Sequence, residues 1–129
     1  MKKLIILIFL GISTNVCTQD RWIVFDYNED TTAVLYFDNE TIWYKGSSVV
    51  LWVKMVFNPA RYFEDYNKDV ITALTQVEVF CGQRKYQEME TIIYFADGTD
   101  KRESHKENEN MSIIIPDTKQ EMYYKRLCK

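Results

Sequence analysis

Ser47-Ser48-Val49-Val50-Leu51-Trp52-Val53-Lys54-Met55-Val56-Phe57 decides the fold class. Its odd positions from Val49 to Phe57 are all apolar, while Val50, Trp52, Lys54 and Val56 between them are only partly polar. A period of two marks a β-strand, and apolar character on both sides marks a central one. Asn58-Pro59 is expected to end this strand, because proline cannot donate to a central ladder. The polar and aromatic stretch Ala60–Asp69 then reads as a loop or a single helical turn. A second long strand follows over Val70–Gly82, with Ile71, Ala73, Thr75, Val77, Val79 and Cys81 sharing one face, assigned to the core.

Working outward, Arg21–Tyr27, Thr32–Phe37 and Thr41–Tyr44 read as strands separated by polar turns. Beyond Gly82–Lys85, Tyr86–Ala96 alternates again, with Met89, Thr91, Ile93 and Phe95 opposing Glu88, Glu90, Ile92 and Tyr94. Asp97-Gly98 is a hairpin signal leading to a return strand at Thr99–Ser104. Met111–Ile115 is a short strand stopped by Pro116. The tail changes period. Thr118 stands three residues before Glu121, a capping-box spacing, and Tyr124, Leu127 and Cys128 then fall on one helical face. The fold class is therefore mainly β, of the α+β kind, with a C-terminal helix.

Export is read from the other end of the chain. Met1-Lys2-Lys3 precedes the apolar run Leu4–Ile12, the pattern of a secretory signal and too short for a membrane-spanning helix. Cleavage after Thr18 leaves 19–129 as one domain, 111 of the 129 residues, and removal of Lys2 and Lys3 moves the formal charge from −3 to −5. Gly11 and Ser13 offer another cleavage point, and lipidation of Cys17 is a third alternative, although Thr14 and Val16 fill its flanks poorly. No transmembrane span is expected after cleavage. The chain has three cysteines, and the leader accounts for Cys17. Cys81 and Cys128 remain, one on a strand's core face and one on a helix's inner face, and an oxidising compartment would join them.

Chemistry is sparse. An acidic balance of 19 Asp and Glu against 16 Lys and Arg disfavours nucleic acid as a partner. His105 is the single histidine, in a mixed-charge stretch that reads as a solvated loop, which excludes histidine-based nucleophilic catalysis. Glu78, Glu88 and Glu90 are expected together on the outer face of one hairpin, keeping the sheet soluble. There is no CxxC pair and no Gly-rich phosphate loop, so neither metal nor cofactor is expected. The aromatic content of 15% exceeds what a small core needs. Some Trp and Tyr must be partly exposed, and these residues are enriched at binding surfaces.

An ordered set of residues resembles the surface-adhesin E family of small exported bacterial proteins. The set runs from Trp22 through Tyr36, Asp38 and Thr41-Ile42 to Gly46 and Val49-Val50-Leu51-Trp52-Val53-Lys54. It continues with Glu78-x-x-Cys81, Arg84-Lys85, Tyr94, Gly98, and Pro116-x-Thr118-x-x-Glu121 ending at Cys128. A tryptophan usual before the last proline segment is replaced by the Met111–Ile115 run. The resemblance implies an antiparallel sheet of about six strands, with a C-terminal helix tied by a disulfide to its concave face. It also implies adhesion to host extracellular-matrix and serum proteins rather than catalysis, with no ligand-binding residue assigned by position, and a host matrix or envelope protein is the expected partner. Localisation would be periplasmic, outer-surface or secreted, and a homodimer is left open. Two other readings stand beside it: an inhibitor of another protein acting through a protruding loop at Ala60–Asp69 or Thr99–Asn110, and a small-molecule binder using the concave aromatic face.

Overall fold

The computed structural model describes residues 20–28, 32–106 and 111–128. The expected leader at 1–18, with Cys17, lies outside the described residues. Eight strands form one antiparallel sheet: β1 (Trp22–Asn28), β2 (Ala33–Asp38), β3 (Trp43–Lys45), β4 (Ser48–Phe63), β5 (Lys68–Phe80), β6 (Lys85–Phe95), β7 (Asp100–Ser104) and β8 (Ser112–Ile113). The main order is β1-β2-β4-β5-β6-β7, with β3 against β4 and β8 against β6. One helix, α1 (Lys119–Leu127), closes the chain. The mainly β architecture with a terminal helix is as the alternation predicts.

The central strand is longer than expected. β4 does not stop at Asn58-Pro59 but runs on to Phe63, and β5 begins at Lys68 instead of Val70. The expected loop or helical turn is therefore confined to residues 64–67, a turn with hydrogen bonds from the Tyr66 amide to the Phe63 carbonyl and from the Asn67 amide to the Glu64 carbonyl, and the rest of 60–69 is paired hairpin. The physical reason lies in the register. Pairing with β5 breaks between Val56 and Arg61, so Pro59 sits where no ladder hydrogen bond is required of it. Aromatic packing then holds the hairpin end. Phe57 meets Phe63 at 5.6 Å between ring centroids, and Tyr66 meets Phe95 at 5.6 Å.

The same irregularity changes which residues of β5 face inward. Val77 and Val79 are buried as predicted, but Ile71 is exposed and Val70 is buried in its place. Pairing with β6 shifts between Val70 and Thr72, leaving Ile71 as an extra residue that inverts the alternation. A second shift, between the Gln76–Glu90 and Val77–Glu88 pairs, places Met89 at a bulge on β6. Glu88 consequently shares the side of Val77, while Glu78 and Glu90 lie on the opposite side. The three carboxylates do not share one face.

One face of the sheet carries the helix. Leu35, Phe37, Val49, Leu51, Val53, Val77 and Val79 form a single cluster with Ile114, Tyr123 and Leu127. The helix buries Tyr123 and Leu127, four residues apart, while Tyr124 is only half-buried and Cys128 caps the end in an extended conformation. The predicted stripe is thus displaced by one residue toward Tyr123. Thr118 is the N-cap, its Oγ1 accepting from Glu121 N at 3.4 Å. Glu121 Oε2 accepts from the Asp117 amide at 2.8 Å, one residue upstream of the usual capping-box partner.

The disulfide joins Cys81, just past β5, to Cys128, just past α1, with Cα atoms 5.4 Å apart. That separation is ordinary for a bridge. The Cys81 amide is itself held by the Ser47 carbonyl at 3.0 Å, so the sheet end of the bridge is fixed by β-type pairing.

Candidate protein-binding surface

The face away from the helix is set by the even positions of β4. Its residues form ladder rows across the strands, and partners in a row point to the same side. One row runs Trp43–Val50–Glu78–Gln87 across β3, β4, β5 and β6. The next runs Lys45–Ser48–Phe80–Lys85–Ile113 and ends on β8.

Beneath these rows lies a buried polar network. Glu78 is 4% exposed, Gln87 2% and Ser48 5%. Glu78 accepts from Ser48 Oγ at 2.6 Å through Oε1 and from Gln87 Nε2 at 2.9 Å through Oε2. A buried carboxylate is tolerated only with such partners, and a satisfied network fixes strand register. At the rim the pattern reverses. Trp43 is 59% exposed and Ile113 69%, both large apolar residues open to solvent. Lys45 Nζ lies 5.9 Å from the Trp43 ring. The arrangement sets an exposed tryptophan beside a buried, hydrogen-bonded polar network. Short local sequence could not reveal it, because Ser48, Glu78 and Gln87 come from three different strands.

Further along the same face, Lys54 Nζ lies 4.2 Å from the Trp22 ring and 5.0 Å from that of Tyr36. Burial, helped by the nearby Arg21 cation, lowers its pKa below the usual lysine range. Asp38 is 1% exposed and takes Arg21 Nε and Nη2, Thr41 Oγ1 and the Glu40 amide at 2.8–3.1 Å. Burial alone would raise its pKa, but those donors outweigh burial and hold it below the usual carboxylate range.

Hollows open on the helix-bearing face. One of about 90 Å³ lies under the first turn of α1 between Tyr123, Val77 and Glu88. Another, about 350 Å³, opens between Leu35, Met55, Phe57 and Phe63, with Arg61 and Lys119 beside it. The Tyr123 hydroxyl is pushed well above the usual tyrosine range by burial, with the Glu88 and Asp26 charges adding to it. His105 is half-buried rather than fully solvated, its amide donating to the Met89 carbonyl at the bulge at 2.8 Å. Among the described residues no group of three or more His, Cys, Asp or Glu side chains is placed to hold a metal ion. No described helix is long and apolar enough to cross a membrane.

An antiparallel sheet with a disulfide-tethered terminal helix on one face and exposed aromatics on the other defines a class of small binding modules. The chain belongs to the surface-adhesin protein E family, whose profile matches residues 22–129. Solved structures of Haemophilus influenzae protein E share the fold. A second crystal form aligns with TM-score 0.57 at 16% identity, covering 85% of this chain and 88% of that one. Another structure of the same protein gives TM-score 0.57 at 17% identity over 85% of each chain. Protein E from a non-typeable strain gives TM-score 0.52 at 15% identity, covering 88% of this chain and 78% of its own. Among curated proteins no sequence match is found.

Proposed function

We propose that the chain is an exported, non-enzymatic adhesin-like module that binds a protein partner through the face centred on Trp43. One observation carries the reading: an exposed tryptophan on β3 in the same ladder row as buried Val50, Glu78 and Gln87. Interface energy concentrates in aromatic anchors, where little side-chain freedom is lost on docking. Family membership supports adhesion as the role, with host matrix or envelope proteins as the partner class.

The rival readings have less behind them. An inhibitor would use a protruding loop at 60–69 or 99–110, yet in the first only 64–67 is an unpaired turn and in the second 100–104 is strand β7, with 107–110 outside the described residues. A small-molecule binder would use the helix-bearing face, where a hollow of about 350 Å³ falls at the low end of ligand pockets. Catalysis has less behind it, since family membership points to adhesion.

The test is solid-phase binding of the mature domain to matrix and envelope fractions, with Trp43→Ala beside the wild type. Truncating a central anchor should weaken binding by about 2 kcal/mol, roughly thirtyfold. Equal binding by the variant would sink this assignment. Export is tested separately by N-terminal sequencing of protein from native cells, which should begin between residues 14 and 20. The same experiment decides whether Cys17 carries lipid, and an intact Met1 on cytoplasmic protein would refute export.

A further inference from the structure

The two edges of the sheet are built differently. β7 is five residues long and reads Asp100-Lys101-Arg102-Glu103-Ser104. Short, charged edge strands resist pairing with other chains. β1 is seven residues long and opens Trp22-Ile23-Val24-Phe25 before its first charge. Among the described residues it pairs with β2 alone.

The hydrogen-bonding direction of β1 can be worked out. The Arg21 carbonyl accepts from the Asn39 amide at 2.9 Å. Register continues through Trp22–Asp38, Ile23–Phe37 and Val24–Tyr36. Antiparallel ladders alternate bonded and non-bonded pairs, so Ile23 bonds to β2 while Trp22 and Val24 direct N–H and C=O outward. The Val24 side chain is 58% exposed.

A hollow of about 370 Å³ runs along this edge, between β1 and α1. Val24, Phe25, Phe37 and Met122 make it apolar, and Lys125 and Arg126 make its rim cationic. Arg126 forms no ion pair with a described residue and lies 5.8 Å from the Phe37 ring. Lys125 is 70% exposed and pairs with Glu121 only at 3.6 Å.

We propose that the β1 edge is a strand-addition site for an extended acidic and apolar segment of a partner protein. Its backbone would pair with Trp22 and Val24. An apolar side chain would enter the hollow, and a carboxylate would meet Arg126 and Lys125. Main-chain pairing supplies affinity in this mode, and alternate side chains supply specificity. The cationic rim selects an acidic segment over a basic one. The inference rests on the reading that the chain binds proteins, but it uses a different surface from Trp43.

The probe is a seven-residue peptide of alternating Glu and Val, acetylated and amidated, titrated into the mature domain and followed by amide NMR. Its controls are the Lys-for-Glu peptide and a version N-methylated at alternate residues. Shifts and slowed exchange should centre on the Trp22 and Val24 amides. Val24→Pro removes an outward N–H without touching the β2 ladder, and should weaken binding about tenfold. Arg126→Glu should weaken the acidic peptide by a similar factor and favour the Lys peptide. If Val24→Pro does not fold, the N-methylated peptide must fail on wild-type protein. No binding up to about 1 mM, equal binding by the N-methylated peptide, or shifts centred on β7 would overturn the proposal. So would a dimer that Val24→Pro splits, since a second copy would then occupy the edge. Failure of the peptide leaves the Trp43 reading standing, and failure of Trp43→Ala to reduce adhesion leaves the edge standing.

Discussion

Breaking the bridge with Cys128→Ser is the perturbation that probes this architecture most directly. The bond closes a loop with a sequence separation of 47. Loop-closure entropy for that span corresponds to about 4 kcal/mol, and native bridges in small domains contribute about 2–5. The helix it anchors has nine residues, too few to be stable alone. Only Tyr123 and Leu127 bury apolar side chains from it, contributing about 1.5–3 kcal/mol each. That is less than the cost of ordering nine residues at about 1–2 kcal/mol apiece. Without the bond, α1 should detach before the sheet melts. For a chain of this size each kcal/mol shifts Tm by about 4 °C, so a loss of about 2–4 kcal/mol lowers it by roughly 8–16 °C. Hydrogen exchange should show early loss of protection at Met122–Leu127 while Leu51 and Val53 stay protected. The same result should follow from reductant on wild-type protein. Equal melting temperatures with and without reductant, or simultaneous loss of protection in helix and sheet, would refute the reasoning.

Leu51 is fully buried in the main cluster, so Leu51→Ala should cost about 2–5 kcal/mol in urea denaturation, against almost nothing for exposed Tyr44→Ala. Asp38→Asn removes the charge from bonds to Arg21, Thr41 and the Glu40 amide, and should cost about 1.5–3 kcal/mol by the same assay. Asp38, Asp97 and Glu121 all have carboxyl pKa values depressed by folding, that of Asp97, held by Thr99 and Lys68, to about 2. Their stabilisation is complete above the ordinary carboxylate range and is lost as pH falls from about 4 toward 2. A melting temperature that rises across that interval would contradict the assignment. Thr118→Ala removes the helix cap, and should cost about 1 kcal/mol with no change in the disulfide.

How far the chain could be read without coordinates follows the range of the forces involved. Alternation along Val49–Phe57 and Val77–Cys81 is a local signal, and it located the central pair of strands. The Thr118 and Glu121 spacing located the helix start for the same reason. Cys81 and Cys128, each placed by periodicity on an inward face, identified the bridge, although Cys128 lies just past the helix in extended backbone. Other features required partners far apart in sequence. The strand passes Pro59 because a register break removes the need for its missing N–H, and that break is a property of the β4–β5 pair. Ile71 turns outward and Glu88 inward because single extra residues in β5 and β6 invert a period of two, which neither strand encodes alone. Glu78 looks like a solvated surface carboxylate in sequence, yet it is buried because Ser48 and Gln87 arrive from neighbouring strands to satisfy both oxygens. The exposed Trp43 and the open β1 edge belong to the same category. Residue types determined which segments would be strands and helix, whereas pairing across the sheet decided which faces and edges were left for a partner.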